Sequence, residues 1–117
     1  MFRVIIAGGR DFNDYPLLKA TMDKLLVNIK DDITVLCGQA RGADTLGERY
    51  AKEKGYTVSY YPADWERYGK YAGYLRNEQM AQNADALVAF WDGKSHGTKN
   101  MIGLAMQHGL KVRIKPY

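Results

Sequence analysis

Arg3-Val4-Ile5-Ile6-Ala7-Gly8-Gly9 is a short, continuous, β-branched run that two glycines stop. That is the pattern of a buried strand. Similar runs recur at Ile33 to Cys37, ended by Gly38, at Thr57 to Tyr61, ended by Pro62, and at Ala86 to Phe90, ended by Trp91-Asp92-Gly93. Lys111 to Ile114 reads as a fifth strand. Helical spacing fills the intervals. Asp14 can cap a first helix with Pro16 in its first turn, and Leu17, Leu18, Met22, Leu25, Leu26 and Ile29 then recur at its period. Lys30-Asp31-Asp32 turns the chain. A second helix is expected from about Ala43 to Lys54, with Leu46, Tyr50 and Ala51 on one face and Gly55 as its stop. Residues 63–70 read as a loop, followed by a helix from about Tyr71 to Asn83. A last helix runs roughly from Gly97 to His108, with Met101, Leu104 and Ala105 inward.

Strands and helices therefore alternate as βαβαβαβαβ, which predicts a parallel sheet covered by helices on both faces. The expected fold is α/β, a Rossmann-like three-layer sandwich with a five-stranded parallel sheet. With 117 residues and no linker, repeat or low-complexity stretch, residues 1–117 are expected to form a single domain.

Composition narrows the classes. The longest apolar run, Ala86-Leu87-Val88-Ala89-Phe90-Trp91, is far short of a membrane span. The first residues, MFRVIIAGGRDF, do not have the form of a signal peptide. One cysteine, Cys37, excludes an internal disulfide and a Cys-rich zinc site, so a reducing cytoplasm is the expected compartment. Seventeen Lys and Arg against thirteen Asp and Glu leave a net charge of +4. That mild excess suits a phosphate-bearing or polyanionic partner without identifying one.

Ligands of parallel sheets bind outside the carboxyl ends of the strands. The loops leaving the strands read GGRDFND (8–14), GQARGAD (38–44), PADWERYGKYAG (62–73) and WDGKSHGT (91–98), and they hold eight of the twelve glycines. The loops entering the strands are ordinary turns. Gly8 and Gly9 would let a ligand approach closely, and Arg10 could pair with its phosphate or carboxylate. Gly38, Arg41, Gly42 and Asp44 precede a helix start, a ready anion site, although Asp44 could equally serve only as a helix cap. The spacing is neither G-x-G-x-x-G nor G-x-x-x-x-G-K-[ST], so it specifies neither a dinucleotide cofactor nor a Walker-type ATPase. Gly93, Ser95, Gly97 and Thr98 form a second anion candidate, beside Lys94; His96 reads as a loop residue. Two such turns on one edge suit a nucleotide. Trp65, Tyr68 and Tyr71 lie in an aromatic-rich stretch that could stack on a base or ribose or form a dimer contact. Arg76 and Met80 share a helix face next to Asn77, and Arg76 is either a ligand contact or a surface residue. Asp11, Asp64 and Asp92 could hold a divalent metal, but their spacing does not demand one, so no metal site and no cofactor is assigned. No Ser-His-Asp set is legible.

These motifs together carry a family resemblance. GGRDF after the first strand, GxARGAD after the second, PADW after the third, AGxxRNxxM in the third long helix and ADALVAFWDGxSxGTxxMI across the fourth strand resemble the SLOG superfamily, and within it the YspA-type, YpsA-related branch of bacteria and phages. Its relatives include the lysine-decarboxylase-like cytokinin-activating phosphoribohydrolases and the DNA-processing protein of natural transformation. The resemblance implies a Rossmann-like domain that binds nucleotides, nucleotide-sugars or nucleic acid, often as a homodimer. The phosphoribohydrolases carry PGGxGTxxE with a catalytic Glu, paired with an Arg of the preceding helix. Here Gly97-Thr98 matches the GT and Arg76 and Met80 match the preceding R-x-x-x-M, but Met101 stands at the Glu position, after Asn100. Methionine cannot act as acid, base or cation stabiliser. The expected function is binding of a nucleotide or nucleotide-derived ligand. The alternatives are hydrolysis of an N-glycosidic or phosphate bond in such a ligand, with Arg76, Asp11 and Asp92 as catalytic candidates, and nucleic-acid binding.

Overall fold

The computed structural model describes all 117 residues, Met1–Tyr117. Five strands, β1 (Phe2–Gly8), β2 (Ile33–Cys37), β3 (Thr57–Tyr60), β4 (Ala86–Trp91) and β5 (Lys111–Pro116), alternate with helices α1 (Tyr15–Leu26), α2 (Ala43–Lys54), α3 (Trp65–Tyr68), α4 (Ala72–Gln82) and α5 (His96–Gln107). All pairings are parallel, in the order β3-β2-β1-β4-β5. Strand order reverses at β1, which pairs with β2 on one side and β4 on the other.

Alternation along β1 sorts the helices into layers, because successive side chains of a strand point to opposite faces. Val4 and Ile6 join Val35, Val88 and Phe90 against Leu18 and Met22 of α1 and Tyr50 and Ala51 of α2. Ile5 and Ala7 join Leu36, Leu87 and Ala89 against Met80 and Ala81 of α4 and Met101, Ile102 and Ala105 of α5. The expected α/β three-layer sandwich with a five-stranded parallel sheet is the fold observed. Leu18, Met22 and Leu87 are wholly buried, and each such side chain contributes about 1.5–3 kcal/mol. Tyr50 is wholly buried too, yet its hydroxyl reaches Asp23 Oδ1 of α1 at 2.6 Å, so the one polar atom of this core ring is satisfied. No helix is long and apolar enough to cross a membrane.

Three local readings need correction. Residues 63–70 are not a plain loop: α3 spans Trp65–Tyr68, and a 3-10 turn follows at Gly69–Tyr71. Asp64 caps α3 by accepting from Arg67 N, and Gly69 at φ 57° ends it. A four-residue helix is too short to show periodicity, so only its caps could have signalled it. Asp14 does cap α1, accepting from Leu17 N at 3.1 Å, but the helix stops at Leu26 and Ile29 lies in the following turn. Asp44 does not cap α2. Gly42 holds that position, and the Asp44 carboxylate folds back onto the loop.

Candidate functional site

The β1–α1 loop is pinned from three sides. Gly9 N donates to Phe90 O of β4, while Gly9 O accepts from Phe12 N and from Ala43 N of α2. Phe12 is buried and stacks on Phe90 with ring centroids 4.9 Å apart. Tyr117 packs edge-on against Phe12 and donates to Asp11 Oδ1 at 2.8 Å. Within Gly8–Phe12, only the Arg10 side chain projects without a hydrogen bond or ion pair. The glycines of this loop make room for neighbouring protein atoms. A Cβ on Gly8 would run into Phe90 O and Ala43 Cβ, and one on Gly9 into the Tyr117 hydroxyl.

The β2–α2 loop docks against the first. Gly42, at φ 74°, lies so close to Gly9 O and the Arg10 carbonyl that no side chain fits. Gln39 takes φ 60°, the only non-glycine residue at positive φ, and its N–H reaches Cys37 Sγ. Cys37 is buried, and burial pushes its thiol up to about 11, so it is neutral at ordinary pH. Asp44 Oδ2 accepts from Ala40 N at 3.2 Å, whereas Oδ1 makes no hydrogen bond within the chain. Burial pushes the Asp44 carboxyl up to about 6, with the Ala40 N–H and the Arg76 charge opposing.

Arg76 comes down from α4 onto this loop. It donates to Gly38 O and, through Nε, to Asn77 Oδ1 at 3.0 Å. It is half-buried, so the surface alternative does not hold. Desolvation is the largest influence on its pKa and lowers it, while Asp44 acts in the opposite direction. A Cβ on Gly38 would lie 2.6 Å from its guanidinium. Asn77 is buried and carries the network on to α5, donating to Asn100 Oδ1 at 3.0 Å.

The 91–98 loop is set by its own polar groups. Asp92 Oδ1 accepts from Lys94 N and Ser95 N at 2.8 and 2.9 Å, which holds its carboxyl below the usual carboxylate range. Trp91 Nε1 donates to Ser95 O. Ser95 caps α5 by accepting from Thr98 N.

Together these elements enclose a cleft of about 370 Å³ at the carboxyl ends of β1 and β4, where strand order reverses. Of the residues singled out in the sequence, Gly8, Gly9, Arg10, Asp11, Asp44, Arg76, Ser95, Gly97 and Thr98 line it. Gly38, Arg41, Gly42 and Gly93 do not: Gly38 is buried beneath Arg76, Gly42 faces the first loop, and Arg41 and Gly93 are exposed outside the cleft. Asp92 does not line it either, its carboxylate being spent on the turn. Asp11, Asp64 and Asp92 do not gather, and no group of three or more His, Cys, Asp or Glu side chains is placed to hold a metal ion. Trp65 lines an adjoining pocket of about 300 Å³ that shares Arg10, Arg76, Asn77 and Gly97 with the cleft. Tyr74 stands there in place of Tyr68 and Tyr71, which line neither space. Ala7, Ala40, Asn77, Met80 and Met101 complete the cleft wall. Asn77 could have been singled out from its place beside Arg76. Ala40 lines the wall through a local turn that no residue type announces.

Residues 2–68 match the YspA, cpYpsA-related SLOG family (YAcAr), more than half of the chain. The chain belongs to this family. It is also 36% identical over 118 residues to the Gene 61 protein of Mycobacterium phage D29, across 96% of this chain and 94% of the phage protein. Two solved structures share the fold of this SLOG protein. DNA processing protein A (DprA) from Streptococcus pneumoniae superposes with a TM-score of 0.72 at 15% identity, over 97% of this chain and 49% of DprA. TM1055 gives a TM-score of 0.70 at 23% identity, over 96% and 72%. The chain thus spans about half the length of DprA, and at these identities the likeness is one of fold.

Proposed function

We propose that this SLOG protein binds a nucleotide or nucleotide-derived ligand through its phosphate, in the cleft between β1 and β4. One observation carries the reading: the first turns of α2 and α5 both line the cleft beside the unpaired Arg10. The backbone N–H groups of Asp44, Thr45, His96 and Gly97 make no hydrogen bond within the chain. Free amides at helix N-termini, with the helix dipoles behind them, favour an anion. Arg10 supplies a fork of donors suited to phosphate. The adjoining pocket gives the rest of the ligand a place against the Trp65 indole. The cleft volume fits a small ligand.

Arg10→Ala is expected to weaken binding of 5′-AMP by about 10- to 100-fold, the loss of one charge-assisted contact. Arg41→Ala, outside the cleft, is expected to leave binding within about twofold. Isothermal titration reads both; equal losses for the two variants, or no binding of any nucleotide by the parent chain, would sink the reading.

Homodimerisation is part of the same proposal. Tyr71 and Leu75 are exposed at 67% and 45%, beside Tyr68 and Tyr74 at 43% and 46%, and exposed aromatics are common anchors of protein contacts. Sedimentation velocity is expected to show a dimer that Tyr71→Glu converts to monomer. A parent chain that sediments as a monomer at tens of micromolar removes this part of the proposal.

A further inference from the structure

Asp44 is the one acidic side chain in the cleft that is more than nine-tenths buried. Its Oδ2 is held by Ala40 N, and its Oδ1 is left unpartnered at the same first turn of α2 whose amides are free. A carboxylate is an odd neighbour for an anion. Two negative charges at such close range repel each other, the more so in a site shielded from water. A neutral carboxyl, by contrast, is a hydrogen-bond donor. Resting on the phosphate-cleft reading, we propose that the cleft takes up its phosphate together with one proton, held on Asp44, which then donates from Oδ1 to a phosphate oxygen.

The surroundings of Asp44 supply no other group for this role. From α4 it faces Arg76, a permanent cation engaged with Gly38 O and Asn77. From β2 it faces the neutral Cys37 thiol, whose Sγ lies 3.7 Å from Asp44 O. The β1–α1 loop contributes Arg10 and Asp11, with Asp11 tied to Tyr117. Glu48, one turn on in α2, is occupied by Tyr60 and Lys52. From α5 only Ser95, Gly97, Thr98 and Met101 line the cleft, none of them titrating in this range, while His96 lines a separate pocket on the other side of that helix. With burial holding the free Asp44 carboxyl near 6, the proton is half in place at pH 6 and about 1% in place at pH 8. The ligand class follows: tetrahedral oxyanions such as phosphate and sulfate, whose oxygens accept from the carboxyl.

Sulfate is the probe that isolates the effect, because a phosphate monoester itself titrates near pH 6 and sulfate does not. Sulfate affinity, measured by isothermal titration, is expected to fall about 50-fold from pH 6 to pH 8. Titrations in buffers of different ionisation enthalpy are expected to show close to one proton taken up per sulfate at pH 8. His96→Asn, which keeps the backbone amide and replaces only a side chain that lies outside the cleft, should keep the dependence. Asp44→Asn should lose it and bind at pH 8 about as tightly as the parent chain at pH 6, because the amide donates permanently. Should Asp44→Asn fail to fold, the parent curve and His96→Asn decide alone. A parent affinity that is flat across this range overturns the inference and leaves the phosphate cleft standing. So does a dependence that survives in Asp44→Asn or disappears in His96→Asn. Failure of both sulfate and AMP to bind at every pH overturns the cleft reading itself.

Discussion

Asp44→Asn is expected to raise the melting temperature at pH 8 by about 10 °C, and to change it little near pH 4. The carboxyl has its pKa pushed from the usual 3.8 to about 6 by burial. The folded chain therefore holds a proton that the unfolded chain releases, and folding becomes less favourable as pH rises from about 4 through 6. Above that range the ionised group costs about 3 kcal/mol, at 1.36 kcal/mol per pKa unit. For a chain of this size each kcal/mol moves the melting temperature by roughly 3–5 °C. Asparagine cannot ionise and keeps the shape. Thermal unfolding followed by circular dichroism across pH 4 to 9 reads the effect, and a shift of equal size at both ends would refute it. A stabilising substitution inside a cleft is the signature of a residue kept for what it does there.

The second large effect comes from Gly8. Gly8→Val is expected to destabilise the fold by at least about 3 kcal/mol, enough to leave much of the chain unfolded at 37 °C. The new side chain would meet Phe90 O, a backbone atom of β4, and Ala43 Cβ at the start of α2. Neither can move without shifting a strand or a helix. Gly97→Ala is the internal comparison, since a Cβ there meets nothing within 4 Å. Chemical denaturation of both variants reads the difference; a Gly8→Val chain as stable as Gly97→Ala would contradict this packing account.

These two positions also show what was legible in the sequence. The layered sheet was, because β1, β2 and β4 are buried on both faces and announce themselves as unbroken apolar runs such as Val4–Ala7. The cleft's location followed from strand order and from the concentration of Gly and charge on one edge. The reason for the glycines did not follow. Gly8, Gly9, Gly38 and Gly42 each face protein atoms contributed by a residue 32 to 108 positions away along the chain, and no local pattern encodes such a neighbour. Arg76 was ambiguous for the same reason: its acceptor, Gly38 O, is 38 residues away. Asp92 looked like free chemistry because a turn that consumes a carboxylate reads the same as one that displays it. Asp44 could be read as a helix cap as readily as an anion-site residue, because Asp near a helix start usually is a cap; Gly42 holds that position instead, and the carboxyl turns onto the loop.

The position of β1 in the middle of the sheet has a consequence for synthesis. Its partner on one side, β2, leaves the ribosome about thirty residues after it, but its partner on the other side, β4, follows only after about eighty. Until then the growing chain carries β1 as an uncovered edge, with Ile5 and Ala7 lacking the α5 side chains that later bury them. Bare, apolar edges of this kind pair with one another. The nascent protein is thus most vulnerable to self-association between completion of β2 and arrival of β4, and the second half of the chain acts, in effect, as the chaperone of the first.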